Sequence, residues 1–287
     1  MIRTARRHPD LDRARGLAIA LVVFGHIVAR QPPTDAHWYE IIRRVIYSFH
    51  MPFFFYLSGR VAVLSGQFAT PRAGLPALIK SRAHRLLVPA LLLGPTIILA
   101  KRLAAPFIAV DNVPVSIQAG LINLVWHPNH SPAYDLWFLI VLFALSIAAP
   151  ILRVLAGNRL WPLLLLASAL YLIPLPSHLY AALIGRYAIF YAVGLATGAA
   201  GPAWLAWIDR HGLACLAAFS IGCLLVARLN LPFAVTLLPM GLLALASWNG
   251  WHFLAFAPLL LAAGLLGPIL IKRQALCAIP ALDRLTD

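Results

Sequence analysis

Charge is scarce in this chain, and negative charge is the scarcest. Only 11% of the 287 residues are charged, and nine acidic residues stand against 23 lysines and arginines. Soluble globular domains are about 25% charged and about 45–50% apolar, whereas 62% of this chain is hydrophobic. A soluble protein of this size could not bury so much apolar surface, and this excludes the soluble globular classes.

Cysteines are few, and the motifs of several common enzyme classes are missing. The three cysteines, Cys215, Cys223 and Cys277, have neither metal-ligand nor disulfide-framework spacing. The sequence has no P-loop, no G-x-S-x-G elbow and no G-x-G-x-x-G loop. His127 and His130 form an H-x-x-H pattern in a loop, but no third ligand follows at metal spacing. We therefore expect no metal site.

What the sequence does contain is a series of unbroken apolar runs separated by polar or basic segments. A helix needs about 20 mostly apolar residues to cross a bilayer core, and the runs approach that length. They predict an all-α fold, a polytopic transmembrane helix bundle with about 9–10 spans, in one domain over residues 1–287. The predicted spans are 16–30, 45–64, 86–100, 135–152, 160–175, 181–200, 212–228, 231–248 and 251–271.

Basic residues flank the runs, and five arginines precede the first one within residues 1–15. Cytoplasmic segments of membrane proteins are enriched in lysine and arginine, so we expect the N-terminus in the cytoplasm. Because the charges flank apolar runs and do not line a nucleic-acid-binding surface, we expect no nucleic-acid partner.

Arg15 and His26 share one face of the first predicted helix. Eleven residues at 100° each come within about 20° of three full turns, and the rise separates the two by about 16 Å. Asp12 lies one turn before Arg15 on the same face. An ionisable residue inside a membrane span is costly and is usually functional. For Asp12 and Arg15, the alternative is a charge pair that only marks the start of the helix.

His50 is the second candidate base. It lies about five residues into the second predicted span, and His26 lies four residues before the end of the first, so we expect both at one membrane level. Two histidines at one level predict a proton-transfer site. The alternative is that each histidine only hydrogen-bonds a carbonyl of its own helix.

Arg82 and Arg85 form an R-x-x-R pair just before the third predicted span. Together with Arg15, they predict a cationic cluster at the cytoplasmic face that suits a phosphate-bearing ligand. The alternative is ordinary charge that sets the topology. Arg186 lies within the sixth span and requires a partner that the sequence does not identify.

Five segments resemble acyltransferase family 3, a family of integral membrane O-acyltransferases. They are LDRARGLAIALVVFGHI (11–27), SFHMPFFFYLSG (48–59), KSRAHRLLVP (80–89), DLWFLIVLF (135–143) and FYAVGLATG (190–198). The order and spacing of the segments also fit the family.

The resemblance implies a bacterial inner-membrane enzyme that transfers an acyl group, commonly acetyl. The donor would be cytoplasmic acyl-CoA, used as a co-substrate with no permanently bound cofactor. The acceptor would be a hydroxyl of an envelope glycan, a lipid-linked sugar or a similar molecule. Membrane lipid, acyl-CoA and this acceptor are the expected partners.

The resemblance also assigns residues. Arg15 and His26 match the family's presumed essential pair, and Arg82 and Arg85 match its R-x-x-R motif. We expect His26, Arg15, Asp12 and His50 to be catalytic, and Arg15, Arg82 and Arg85 to bind acyl-CoA. His26 would either deprotonate the acceptor or carry the acyl group. The chain stops at Asp287 without the Tyr-Leu-x-His-like motif of the family's last helix, so we expect that helix to be missing.

A rival class is a transporter of an anionic solute, in which the histidines relay protons. Such a protein commonly contains inverted repeats. The sequence shows no such repeat.

Overall fold

The computed structural model describes residues 9–26 and 37–229, which belong to two compact units. Unit 1 comprises Met1–Phe54 and Gly201–Asp287, and unit 2 comprises Phe55–Ala200. The predicted spans 231–248 and 251–271 lie outside the described residues. Within the described residues every regular element is helical, which confirms the all-α prediction. The α-helices are α1 (Pro9–His26), α2 (His37–Leu64), α3 (Leu75–Arg82), α4 (Val88–Ala104), α5 (Ile117–Val125), α6 (Trp137–Leu155), α7 (Trp161–Leu172), α8 (Ala181–Ala200) and α9 (Pro202–Leu229).

Three helical stretches of the described chain are long and apolar enough to cross a membrane. They are Arg72–Ala104, Tyr134–Leu155 and His178–Ala200, and Trp161–Leu172 is a shorter apolar helix. The starts of α6, α7 and α8 lie within two residues of the predicted starts, at Trp137, Trp161 and Ala181. The total of 9–10 spans and the single domain stay predictions.

Two predicted boundaries are wrong. Helix α2 begins at His37, eight residues before the predicted start at 45. Its first turns are amphipathic and are stabilised by an Arg43–Glu40 ion pair of 2.9 Å, so their polar residues resemble a loop. Residues 201–211 were predicted to link two spans, but all except Gly201 are the first turns of α9.

Unit 1 is built on a hairpin of α1 and α2. The buried side chains of Phe24, Tyr39 and Ile46 form one cluster, with Leu21 packed against it. The Tyr39 hydroxyl donates a hydrogen bond of 2.9 Å to the Phe24 carbonyl, one of the last carbonyls of α1. This bond joins the last described turn of α1 to the first turn of α2.

Unit 2 is held together by a close crossing of α2 and α8. A Cβ added at Gly194 would lie 2.1 Å from the Tyr56 carbonyl oxygen, and one at Gly59 would lie 2.2 Å from that of Tyr191. Gly198 lies against Val63, one turn further along both helices, so the two helices run in the same direction. Small residues let helix backbones approach in this way inside a membrane.

Helix α6 joins this pair through a stack of three aromatic rings. The centroid of Tyr187 lies 4.9 Å from those of both Phe55 and Trp137. Trp137 is 9% exposed, so it packs in the core of the unit. The stack divides unit 2 into two ends. The "basic end" contains the C-termini of α2, α6 and α8 and the start of α3, and the "pocket end" contains α5 and the N-termini of α6 and α8.

Candidate active site

Helix α1 contains three of the predicted catalytic residues. Asp12, Arg15 and His26 all lie within one continuous helix, Pro9–His26, and their predicted placement on one helix face requires this continuity. His26 is the last described residue of that helix. The three side chains lie outside the described part of the structure, so their roles stay predictions.

His50 is buried in unit 1, with 8% of its surface exposed. Its Nδ1 lies 2.9 Å from the Ile46 carbonyl oxygen, one turn earlier in α2. A carbonyl can only accept a hydrogen bond, so Nδ1 carries the proton and Nε2 is the basic nitrogen of the neutral ring. His50 thus makes the hydrogen bond to its own helix that the sequence analysis gave as the alternative to a proton-transfer role. The same bond also fixes the ring orientation that a base would need.

The two histidines do not share one level along the α1–α2 hairpin, contrary to the sequence analysis. Helix α2 begins at His37, so His50 lies 13 residues into it and not five. The contact of Phe24 with Tyr39 and Ile46 aligns the end of α1 with the first turns of α2. At 1.5 Å per residue, His50 then lies on the order of 15 Å from the level of His26. The His26 side chain lies outside the described residues, so a site that uses both histidines stays a prediction.

Arg82 and Arg85 lie on a feature that the sequence did not predict. Arg82 ends α3, and Arg85 lies in a π-helical turn, Ala83–Leu87, which continues directly into α4. π-Helical turns are rare and occur frequently at functional sites. Arg82 is half-buried and Arg85 is exposed. The turn and α3 both pack against α6 within unit 2, so the segment that carries the R-x-x-R pair is packed on a neighbouring helix.

The basic end gathers cations from several elements. The 3₁₀ turn Gln67–Ala69, α3 and the π-helical turn all pack on α6. Arg153, in the last turn of α6, lies with its guanidinium 5.5 Å from the Phe68 ring centroid. No acidic residue occurs in 55–110 or 136–200. The cations that the topology places at this end are Arg60, Arg72, Lys80, Arg82, Arg85, Arg153 and Arg159.

Arg60 is a buried cation that sequence reasoning missed, because it was counted within an apolar span. It is 8% exposed, and Nη1 donates to the Tyr56 hydroxyl at 3.2 Å. The Thr197 hydroxyl, from α8, donates to the same Tyr56 oxygen at 2.9 Å. Nε of Arg60 is buried and makes no hydrogen bond within the described residues. A buried, incompletely bonded guanidinium adds to the positive potential of the basic end.

The pocket end holds a second polar group. An open cavity of about 380 Å³ is lined by Asn129, Tyr134, Ser177, Ala182, Leu183 and Arg186. His127 and His178 contact each other beside it, with ring centroids 4.9 Å apart. Within the described residues, no group of three histidines, cysteines or carboxylates could hold a metal ion.

The six predicted site residues are divided between the units. Arg82 and Arg85 are one turn apart in unit 2, whereas Asp12, Arg15, His26 and His50 belong to unit 1. Whether they form one site stays a prediction. The pocket could not have been found by spacing, because its polar residues come from three separate stretches of chain.

Comparison with known proteins identifies the family. An acyltransferase domain of the acyltransferase family 3 matches residues 8–284. Nodulation protein NolL of Mesorhizobium japonicum is 37% identical over 90 residues, which is 31% of this chain and 23% of that protein. The chain thus matches less than a quarter of the length of this relative. No solved structure matches the chain. Because the family match extends over nearly the whole sequence, this helical membrane protein belongs to acyltransferase family 3.

Proposed function

We propose that the protein transfers an acetyl group from acetyl-CoA to a hydroxyl of an envelope glycan or a similar acceptor. The membrane would be the bacterial inner membrane, with the N-terminus and the basic end facing the cytoplasm. Membership of the family supports acyl transfer and disfavours the anion transporter considered from the sequence. Acyl transfer, its donor, its acceptor and the orientation in the membrane all belong to the proposal.

The R-x-x-R pair on the π-helical turn is the observation that carries the donor assignment. CoA carries a diphosphate and a 3′-phosphate, and arginine binds phosphate through paired, charge-assisted hydrogen bonds. Arg82 ends α3 and Arg85 lies in the following turn, both elements pack against α6, and the seven cations of this end include no acidic neighbour in the sequence ranges 55–110 and 136–200. Such a field attracts a polyanion, and a packed turn holds its donors in place.

The charge distribution of unit 2 also supports the orientation. The pocket end has three basic residues, Lys101, Arg102 and Arg186, together with the two acids of this unit, Asp111 and Asp135. The basic end has seven basic residues and no acid. The cytoplasmic side of a membrane protein is the side richer in lysine and arginine.

His26 is the proposed base. In direct transfer, it takes the proton of the acceptor hydroxyl, whose oxygen attacks the thioester carbonyl. The new C–O bond forms as the C–S bond breaks, and the CoA thiolate leaves and takes up a proton. If His26 carries the acetyl group instead, labelled acetyl stays on the protein before any acceptor is added. Arg15 would bind acyl-CoA, with Asp12 and His50 as supporting catalytic groups.

The test is the Michaelis constant for acetyl-CoA. In the double variant Arg82→Gln/Arg85→Gln, we expect KM for radiolabelled acetyl-CoA to rise at least about 10-fold, because each charged hydrogen bond contributes about 1.5–3 kcal/mol. The matched control is Arg72→Gln/Arg159→Gln, which removes the same charge from two exposed positions at the same end. We expect its KM to change less than about twofold, as for screened surface charges. Equal effects in the two double variants would contradict a specific phosphate site.

A further inference from the structure

Arg186 is an exposed cation near the start of a helical stretch that is long and apolar enough to cross a membrane. It lies in the second turn of α8, inside the apolar stretch His178–Ala200. Within the described residues it makes no hydrogen bond, and no carboxylate oxygen lies within 4 Å of its guanidinium, although Asp135 is nearby in unit 2. Ionisable residues in membrane-spanning segments are rare, and almost all of them face the bundle interior or a water-filled cavity. Arg186 does face a cavity.

That cavity combines the cation with neutral hydrogen-bonding groups. The cavity has a volume of about 380 Å³, and Asn129, Tyr134 and Ser177, which carry an amide and two hydroxyls, line it together with Arg186. The groups come from the α5–α6 connection, the α7–α8 connection and α8 itself. A guanidinium binds a phosphate or carboxylate, and amides and hydroxyls bind the neutral hydroxyls beside it.

Strained backbone fixes one side of the cavity. Leu179 and Tyr180, which immediately precede α8, have φ values of +51° and +64°. This left-handed conformation is costly for side chains of their size. Two hydrogen bonds to the end of α5 hold it: the Leu179 N–H donates to the Trp126 carbonyl at 3.2 Å, and the buried Tyr180 hydroxyl donates to the Leu124 carbonyl. Ser177 and Arg186 are thereby held on either side of a fixed turn.

We propose that this cavity binds an anionic group that carries hydroxyls, such as a sugar phosphate or sugar acid, with Arg186 as the anion ligand. If the proposed function holds, this is the acceptor site, and it lies at the end of unit 2 opposite the donor arginines. The same chemistry occurs in the head group of phosphatidylglycerol, which joins a phosphate to a glycerol. The test therefore separates the two sources.

Equilibrium dialysis of the purified full chain in detergent tests the site with radiolabelled glucose 1-phosphate as the probe. We expect Arg186→Gln to weaken binding about 10-fold or more, as for loss of a charged hydrogen bond. Arg159→Gln, an exposed arginine at the opposite end, should bind the probe as the wild type does. Asn129→Asp changes an exposed residue of the cavity and places a negative charge there, so it should also weaken binding. This second variant keeps the test valid if Arg186→Gln does not fold.

Two comparisons define the ligand and its source. Labelled glucose should bind at least 10-fold more weakly than glucose 1-phosphate, because it lacks the anion. In lipid nanodiscs, loss of probe binding in phosphatidylglycerol but not in phosphatidylcholine assigns the cavity to the lipid head group. Retained binding in both assigns it to a sugar-like acceptor. Equal probe binding by the wild type, Arg186→Gln and Asn129→Asp would overturn the proposal.

Acetyl-CoA binding, measured on the same samples, separates this inference from the proposed function. Arg186→Gln should bind acetyl-CoA with wild-type affinity, which also shows that the variant is folded. A protein that binds the probe through Arg186 but does not bind acetyl-CoA would overturn the donor assignment and leave the cavity proposal standing. A protein that binds acetyl-CoA but not the probe would overturn only the cavity proposal.

Discussion

The two ends of unit 2 hold positive charge in different ways. At the basic end, seven cations come from several elements without any acid, and among them Arg82 ends α3 and Arg85 lies in the π-helical turn that follows. At the pocket end, a single arginine lines a cavity among neutral donors and a strained turn. The first arrangement suits a ligand with several phosphates. The second suits a ligand with one anionic group, whose neighbouring hydroxyls form hydrogen bonds with the neutral side chains of the cavity. A donor and an acceptor differ in this way.

The largest effect is expected from a variant that removes the proposed catalytic base and leaves both ends of unit 2 unchanged. In His26→Ala, we expect kcat to fall about 10²–10⁴-fold, the usual contribution of a general base. Acetyl-CoA and glucose 1-phosphate should still bind with wild-type affinity, measured by equilibrium dialysis. Turnover by His26→Ala at the wild-type rate would remove His26 from the mechanism.

The next effect concerns the helix crossing next to the basic end. Gly194→Ala places a methyl group 2.1 Å from the Tyr56 carbonyl oxygen, so α2 and α8 must separate. We expect the free energy of unfolding to fall by about 1–3 kcal/mol, as in other overpacked interiors. Thermal unfolding in detergent measures it. Ala199→Leu, on an exposed position of the same helix, is the control for added volume and should leave the melting temperature nearly unchanged.

A smaller effect is expected from salt, which should weaken ligand binding more at the basic end of unit 2 than at the pocket end. Raising ionic strength from 0.05 to 0.5 M shortens the Debye length several-fold, which weakens interactions with a distributed surface charge. We expect KM for acetyl-CoA to rise more steeply with salt than the dissociation constant of glucose 1-phosphate at the single Arg186. Titration of both with sodium chloride measures the two slopes. Equal slopes would mean that the two ends bind their ligands by similar electrostatics.

The smallest expected effect tests the strained turn at the pocket end. Asparagine tolerates the left-handed conformation better than leucine does, so Leu179→Asn should raise the free energy of unfolding by about 1 kcal/mol. The side chain is half exposed, which limits the loss of packing. Melting temperatures of the wild type and the variant measure this difference. A lower melting temperature would show that the leucine side chain stabilises the turn more than its backbone destabilises it.

The sequence predicted correctly those features that depend on residues within a single helix. Helices α6, α7 and α8 were located from apolar runs, because length and hydropathy are local properties. The placement of Arg15 and His26 on one helix followed from their spacing. The start of α2 was missed because its first turns carry Arg43, Arg44 and Glu40, which resemble a connecting loop.

Features built from distant segments were not accessible to the same reasoning. The cavity takes Asn129, Ser177 and Arg186 from separate stretches, so no spacing reveals it. The π-helical turn at Ala83–Leu87, which packs against α6, was not predicted from the sequence. The burial of Arg60 depends on α8, which follows it by more than a hundred residues. The expected level of His50 was wrong because it depended on the misplaced start of α2.

The glycine crossing of α2 and α8 also constrains the order in which the protein assembles. Gly59 and Gly194 are 135 residues apart, so their contact cannot form until α8 has been synthesised and inserted. Until then, Tyr56 lacks its bond from Thr197. The later helix therefore completes the environment of a buried arginine on the earlier one, and a nascent chain that ends before Thr197 would leave Arg60 without its finished surroundings.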